Sequence, residues 1–300
     1  MLRSICTYLI TTVLLLPAFG QQTDSVITVQ PVKSSAPKEG VRNNVYNYKP
    51  GIDLPYTIAA VAFDLYAFGK IYNKEGVTQA ELDNLNTSNI NGFDRGSADV
   101  YKGEGPAKTS DMFFYASMPL PLLLFLDHDI RKDMGTVSLL YLETMATNGI
   151  FYTGSALAFD RFRPLAYVKE SNYEGDYPFA EFNQNEQRNG NARNSFLCGH
   201  PSLVATSTFF IAKVYSDYHP DSKYRWLFYT GAGAATVTTA YLRHLSGRHF
   251  PTDLIAGSIA GTLSGILVPH FHKRKQFKDP NLSVLPYTGR SHGLVVKYKL

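Results

Sequence analysis

Residues Arg243, His249 and Asp253 bring a guanidinium, an imidazole and a carboxylate into one short stretch, Leu242-Arg243-His244-Leu245-Ser246-Gly247-Arg248-His249-Phe250-Pro251-Thr252-Asp253. An imidazole oriented by a carboxylate is a neutral nucleophile or base, and an arginine beside it clamps a phosphate through paired hydrogen bonds. The stretch lies between two apolar segments, residues 227–242 and 254–268. Gly247 permits a tight turn and Pro251 suits a helix start, so Arg243 is expected to close one helix and Asp253 to sit in the first turn of the next. The same three residues would also serve as ordinary helix-end charges.

Two further clusters lie upstream. In Ser195-Phe196-Leu197-Cys198-Gly199-His200-Pro201-Ser202, Gly199 allows close backbone approach and Pro201 opens a helix, whose free N–H groups would face an anion beside His200. Taken alone, this is also an ordinary helix entry with an incidental histidine. Asp160-Arg161-Phe162-Arg163-Pro164 ends the preceding apolar segment, where Arg161 and Arg163 could bind phosphate or cap carbonyls. Nothing marks Cys198 as an activated nucleophile.

Apolar, helix-compatible segments at 54–72, 112–126, 135–159, 201–218, 226–242 and 252–272 predict an all-α fold, a six-helix bundle with long polar loops at 73–111 and 160–195. A short helix is expected at 78–85. In an up-down bundle all three clusters fall at one end. The opposite end collects Arg131, Lys132, Lys223, Arg225 and Lys273-Arg274-Lys275, as the positive-inside rule asks of a cytoplasmic face. Several segments are short or interrupted for a membrane span, so a soluble or surface-bound bundle stays open.

The first twenty residues read as a signal peptide: Arg3, an apolar run over 8–16, and small residues at Ala18 and Gly20. A polar linker over 21–53 follows, then the helical domain over 54–272, with His270 and His272 read as a polar flank beyond the sixth helix. A basic tail over 273–300 alternates like a short strand near its end. A cleaved leader puts the new N-terminus outside, whereas six spans with this charge bias ask for it inside. With the leader removed, Cys198 is the one cysteine left, so packing rather than a disulfide must hold the core. The net charge of +4 is dispersed, and nothing forms a nucleic-acid-binding stripe.

The order Arg163-Pro164, Gly199-His200, then Arg243 with five residues to His249 and three more to Asp253, resembles the three-part signature of the type 2 phosphatidic acid phosphatase and vanadium haloperoxidase superfamily. That signature reads Lys-x6-Arg-Pro, Pro-Ser-Gly-His and Ser-Arg-x5-His-x3-Asp. The resemblance implies that His249 attacks phosphorus to form a phosphohistidine, that Asp253 orients His249, and that His200 acts as general acid and base. Arg163, Arg243 and the Gly199 backbone N–H would bind the phosphate oxygens, with Arg161 a further candidate. It implies no metal and no cofactor, vanadate entering only under the haloperoxidase alternative. The sequence departs from the signature at Ala156, where the lysine is expected, at Leu197-Cys198 and at Leu242. The implied activity is a phosphatase acting on a lipid phosphomonoester or isoprenyl diphosphate at the periplasmic side of a membrane. The alternatives are a soluble non-specific acid phosphatase, an inactive phosphate- or lipid-binding relative, and a haloperoxidase.

Overall fold

The computed structural model describes residues 44–274 in full and the backbone of two strands, 282–288 and 292–298. The expected leader, the linker up to residue 43 and the rest of the tail lie outside the described residues. Six long helices form the bundle: α1 Pro50–Tyr72, α2 Gly105–Ser117, α3 Met134–Ala158, α4 Gly199–Tyr218, α5 Arg225–Leu245 and α6 Pro251–His272. The fold is all-α over this unit. By itself, the tail forms an antiparallel hairpin of β1 Leu282–Thr288 and β2 His292–Tyr298, with Val284 opposite Val296.

The helix boundaries differ from expectation where start signals lie in polar sequence. Helix α1 opens at Pro50, because Asp53 in its first turn accepts the Lys49 N–H at 2.5 Å. The last residues assigned to the linker are therefore helical. Helix α2 opens at Gly105 with a proline in its first turn, so Asp111 is helical, and it stops at Ser117. Pro119 and Pro121 then shape a 3-10 segment, Leu120–Leu126, because proline cannot supply the N–H an α-helix needs. Helix α5 runs on to Leu245, leaving Arg243 inside its last turn, and Gly247 takes a left-handed φ of 64° to turn the chain. Helix α6 ends at His272, as the 252–272 segment predicts, so His270 and His272 form its last turn and not a flank beyond it.

Helix α4 packs against α5 and α6, while α1 packs on α3. Side chains at Gly257, Gly261 and Gly265 of α6 would collide with the α4 backbone from Cys198 to Phe210, so a stripe without Cβ atoms sets that close approach. One core cluster, with Tyr46, Ile130, Leu140, Phe210 and Val214, lies at the end away from the three sequence clusters. That end is also tied by hydrogen bonds from Tyr218 to Asp133 at 2.8 Å, His219 to Asp127 at 2.9 Å, and Lys273 to Asp217 at 2.8 Å.

The two polar excursions fold together. Val77, Tyr101, Leu165, Val168, Phe182 and Ala192 make a second buried cluster drawn from both, and Arg193 reaches Glu81 at 2.5 Å. Asp94, fully buried, accepts the Thr252 N–H at 3.0 Å and so serves the N-terminus of α6 from a distant loop. The expected short helix is present as Gln79–Asp83, with a capping box between Thr78 and Glu81.

Large apolar side chains remain on the outer faces of the bundle. Ile52, Leu65, Met112, Leu126, Val237 and Ile259 are each more than half exposed, and every long helix but α4 carries such residues. Two segments, Gly105–Leu126 and Pro251–His272, are long and apolar enough to cross a membrane.

Candidate active site

His249 lies in the turn between α5 and α6 and is 2% exposed. Its Nδ1 is 2.6 Å from the carbonyl oxygen of Ser195. A carbonyl only accepts, so Nδ1 carries the proton and Nε2 keeps its lone pair, the tautomer a nucleophile needs. Burial, joined by the Arg163 and Arg243 guanidinium groups, holds the His249 pKa well below the ordinary imidazole value. The ring is therefore neutral.

Asp253 does sit in the first turn of α6, but it orients His249 only indirectly. Its Oδ2 accepts the Ser195 hydroxyl at 2.6 Å and the Phe250 N–H at 2.9 Å, while Oδ1 pairs with Arg161. The direct carboxylate–imidazole contact expected from triad logic is thus replaced by a relay: Asp253 fixes Ser195, and the Ser195 carbonyl fixes the ring.

Arg161 does not join a phosphate cradle. Its guanidinium bonds Asp94 at 2.7 Å, Thr252 at 3.0 Å and Asp253, and it stacks on Phe250 at 4.6 Å. It braces the α6 N-terminus.

Arg163 is 5% exposed and held by the Asn194 carbonyl and by Asn191 Oδ1 at 3.1 Å. Burial, with Arg248 and Arg243 nearby, lowers its pKa to about 10, which still leaves it charged. Arg243 reaches Ser110 and Asp111, each at 3.2 Å. Arg248 is clamped by Glu186 at 2.5 Å and Glu104 at 3.2 Å. The Nε atoms of Arg243 and Arg248 are both buried without a partner. Arg163 and Arg248 line one side of a polar cavity of about 150 Å³ with Asn189 and Asn191. Buried guanidinium N–H groups left unpaired are costly, and an anion would satisfy them.

His200 lies in the first turn of α4 with its Nε2 2.8 Å from Asp111 Oδ1, the same oxygen that Arg243 contacts. Gly199 opens that helix, and a Cβ there would meet the Tyr152 ring at 2.9 Å. Cys198 is fully buried, and burial pushes its thiol up to about 12, so it is no nucleophile.

The sequence model of the PAP2 superfamily matches residues 138–277, which contain all of these positions except Asp94, Glu104, Ser110 and Asp111. A crystal structure of a transmembrane PAP2-type phosphatidylglycerolphosphate phosphatase from Bacillus subtilis is similar at 19% identity, covering 72% of this chain and 95% of that one, with a TM-score of 0.40. No curated protein matches the chain.

Within this candidate site, three residues make contacts that the sequence reading passed over. Asp111 joins His200 to Arg243; as the last residue of the polar excursion 73–111 it is marked by no local pattern, its partners lying 89 and 132 positions away. Ser195 links Asp253 to His249, and no local pattern announces it because its partner is 58 residues away. Arg248 sits inside the five-residue spacer between Arg243 and His249, where the signature assigns nothing. Ala156 is 1% exposed, and the backbone carbonyl there accepts Lys74 Nζ at 3.0 Å.

Proposed function

We propose that this chain is a phosphatase that cleaves a lipid phosphomonoester or an isoprenyl diphosphate through a phosphohistidine. The observation that carries the reading is the pair of buried, unpartnered guanidinium nitrogens on Arg243 and Arg248, at the same bundle end as a neutral His249. His249 Nε2 attacks phosphorus and forms a P–N bond as the P–O bond to the leaving group breaks. His200, protonated as the anionic substrate binds, gives a proton to the departing oxygen and returns to the neutral imidazole. Water then attacks phosphorus, forming a P–O bond as the P–N bond breaks; it gives its proton to His200, and the P–N electron pair returns to His249 Nε2 as its lone pair. Arg163, Arg243 and Arg248 bear the charge on the phosphoryl oxygens, with free N–H groups at the start of α4 beside them. In the free protein the Asp111 carboxylate bridges His200 and Arg243, so the substrate displaces it from the guanidinium while the imidazole contact can persist.

A lipid is favoured by an apolar groove of about 550 Å³ between α5 and α6. Phe209, Val237, Ala240, Ile255 and Ile259 line it, and it reaches Leu254, next to Asp253. The exposed apolar belt supports a bundle embedded in a membrane. The basic residues at the opposite end, Arg131, Lys132, Lys223, Arg225 and Lys273, support a reading in which the site faces the periplasm. That orientation puts Asn44 on the cytoplasmic face, because Asp53 at the start of α1 meets His272 at the end of α6. A mature N-terminus at Gln21 found by sequencing the purified protein would therefore overturn the orientation.

The activity is tested by following phosphate release from phosphatidate, an isoprenyl diphosphate and p-nitrophenyl phosphate, with wild type and His249→Gln. The expected result is turnover of a lipid substrate above p-nitrophenyl phosphate, lost in the variant. Binding of either lipid without turnover, or equal turnover by the variant, refutes the proposal. Trp226, the single tryptophan, is 62% exposed at the start of α5 and reports embedding. Brominated lipids are expected to quench it in proteoliposomes.

A further inference from the structure

At the end of the bundle remote from His249, three side chains from three helices converge: Asp53 from the first turn of α1, Glu143 from α3 and His272 from the last turn of α6. One ligand atom from each lies within 4.8 Å of the others. The side chains are 12%, 7% and 14% exposed. Along α6, His272 is about 28 Å from Asp253 at 1.5 Å rise per residue, so the cluster has no part in the phosphate site.

The contacts are long for charge-assisted hydrogen bonds. His272 Nδ1 is 2.8 Å from the Val268 carbonyl oxygen and must donate to it, which leaves Nε2 as a bare lone pair in the neutral ring. Nε2 faces Asp53 Oδ2 at 3.4 Å and Glu143 Oε1 at 3.5 Å. Charge-assisted hydrogen bonds close to about 2.7–2.9 Å, so no proton is well placed between these atoms. Metal–ligand bonds of about 2.1 Å at a tetrahedral angle instead separate neighbouring ligand atoms by about 3.4 Å. A backbone carbonyl holding the remote imidazole N–H is also the usual support of a metal-bound histidine.

Two independent observations point the same way. Glu143 Oε2 is buried with no hydrogen-bond partner, and so is the hydroxyl of Tyr48, whose ring stacks on His272 at 6.1 Å. Two largely buried carboxylates facing a lone pair repel one another unless a cation sits among them. We propose that Asp53, Glu143 and His272 bind a divalent transition-metal ion of the Zn²⁺ class, which fastens the start of α1 and the end of α6 to α3. One imidazole with two carboxylates suits Zn²⁺ and is a poor set for Mg²⁺ or Ca²⁺, which take mainly oxygen ligands in greater number. The ion is structural, and the bond-making at His249 does not involve it.

The test uses the full chain purified in detergent without chelator, then dialysed against Zn²⁺ or Mg²⁺ and analysed by mass spectrometry for bound metal. Wild type is expected to retain about one Zn²⁺ per chain, as a single three-residue site requires, and no comparable Mg²⁺. His272→Ala and the near-isosteric Glu143→Gln are expected to lose it. In wild type alone, a chelator is expected to lower Tm by roughly 5 °C or more, and Zn²⁺ to restore it, by the mass-action linkage of a ligand that binds only the folded state. Absence of bound Zn²⁺ in wild type, equal retention by both variants, or a Tm indifferent to chelator and Zn²⁺ each overturns the site. The chelator arm needs no variant to fold, and none of these readouts depends on phosphatase activity.

Discussion

Replacing Ser195 by alanine removes the hydroxyl that joins Asp253 to the backbone carbonyl orienting His249. The bond is 2.6 Å long and both residues are completely buried, so solvent does not weaken it. A hydrogen bond to a charged group of this kind contributes about 1.5–3 kcal/mol, which corresponds to a loss of roughly 10- to 150-fold if all of it is expressed in kcat/KM. Asp253→Asn should cost a similar amount rather than the roughly 10⁴-fold seen when a directly bonded triad carboxylate is lost. The His249 tautomer is set by the Ser195 carbonyl, which survives in both variants. The decisive measurement is the double variant, assayed for kcat/KM with a lipid phosphate. If Asp253 acts through Ser195, the double variant is no more than about threefold worse than the weaker single one, because both break one link. Multiplicative losses would show that Asp253 reaches His249 by another route and refute the relay. A thermal melt of each variant separates lost chemistry from lost folding, since Arg161 also depends on Asp253.

The depressed pKa of His249 ties stability to pH. The native ring stays neutral while the unfolded imidazole binds a proton below about 6.5, so its contribution is fully present above that pH and is lost as pH falls toward the folded value. At pH 5.5 the loss reaches about 1.4 kcal/mol, and His249→Gln should flatten the fall in Tm between pH 7.5 and 5.5 by about 3–5 °C; an unchanged slope counts against a buried neutral imidazole. Arg248→Gln removes the third guanidinium and should raise KM roughly 10-fold or more with a smaller effect on melting, measured by steady-state kinetics and by inhibition with inorganic phosphate; an unaltered KM removes Arg248 from the cradle.

The bundle was legible because its helices are long apolar runs separated by strongly polar sequence, and that contrast survives ambiguity about where a helix begins. The boundaries were less legible. Gly105 and Pro50 start helices within polar sequence, where hydrophobic periodicity is silent and only the proline and acidic first-turn signals remain. In the site, Arg163, His200, Arg243, His249 and Asp253 follow from type and spacing. Ser195, Asp111 and the fate of Arg161 do not, because each is decided by a partner at least 58 positions away. Arg161 illustrates the limit: an arginine two residues before Arg163 has the chemistry for phosphate, yet Asp94 from the other excursion claims it.

The same long-range pairing bears on the missing lysine. The first part of the signature asks for a cation at residue 156, and alanine there gives none. A phosphoryl group in flight nevertheless needs its oxygens neutralised, and the arginines nearest His249 must be kept from repelling one another before substrate arrives. Arg248 is the residue we propose for that part. Glu104 from the first polar excursion and Glu186 from the second hold it beside Arg163, while its Nε remains unpaired. Asp111 plays the corresponding part for Arg243. The two excursions therefore do more than cover the bundle end: each contributes a carboxylate that holds Arg248, inside the spacer that leads to His249, beside Arg163.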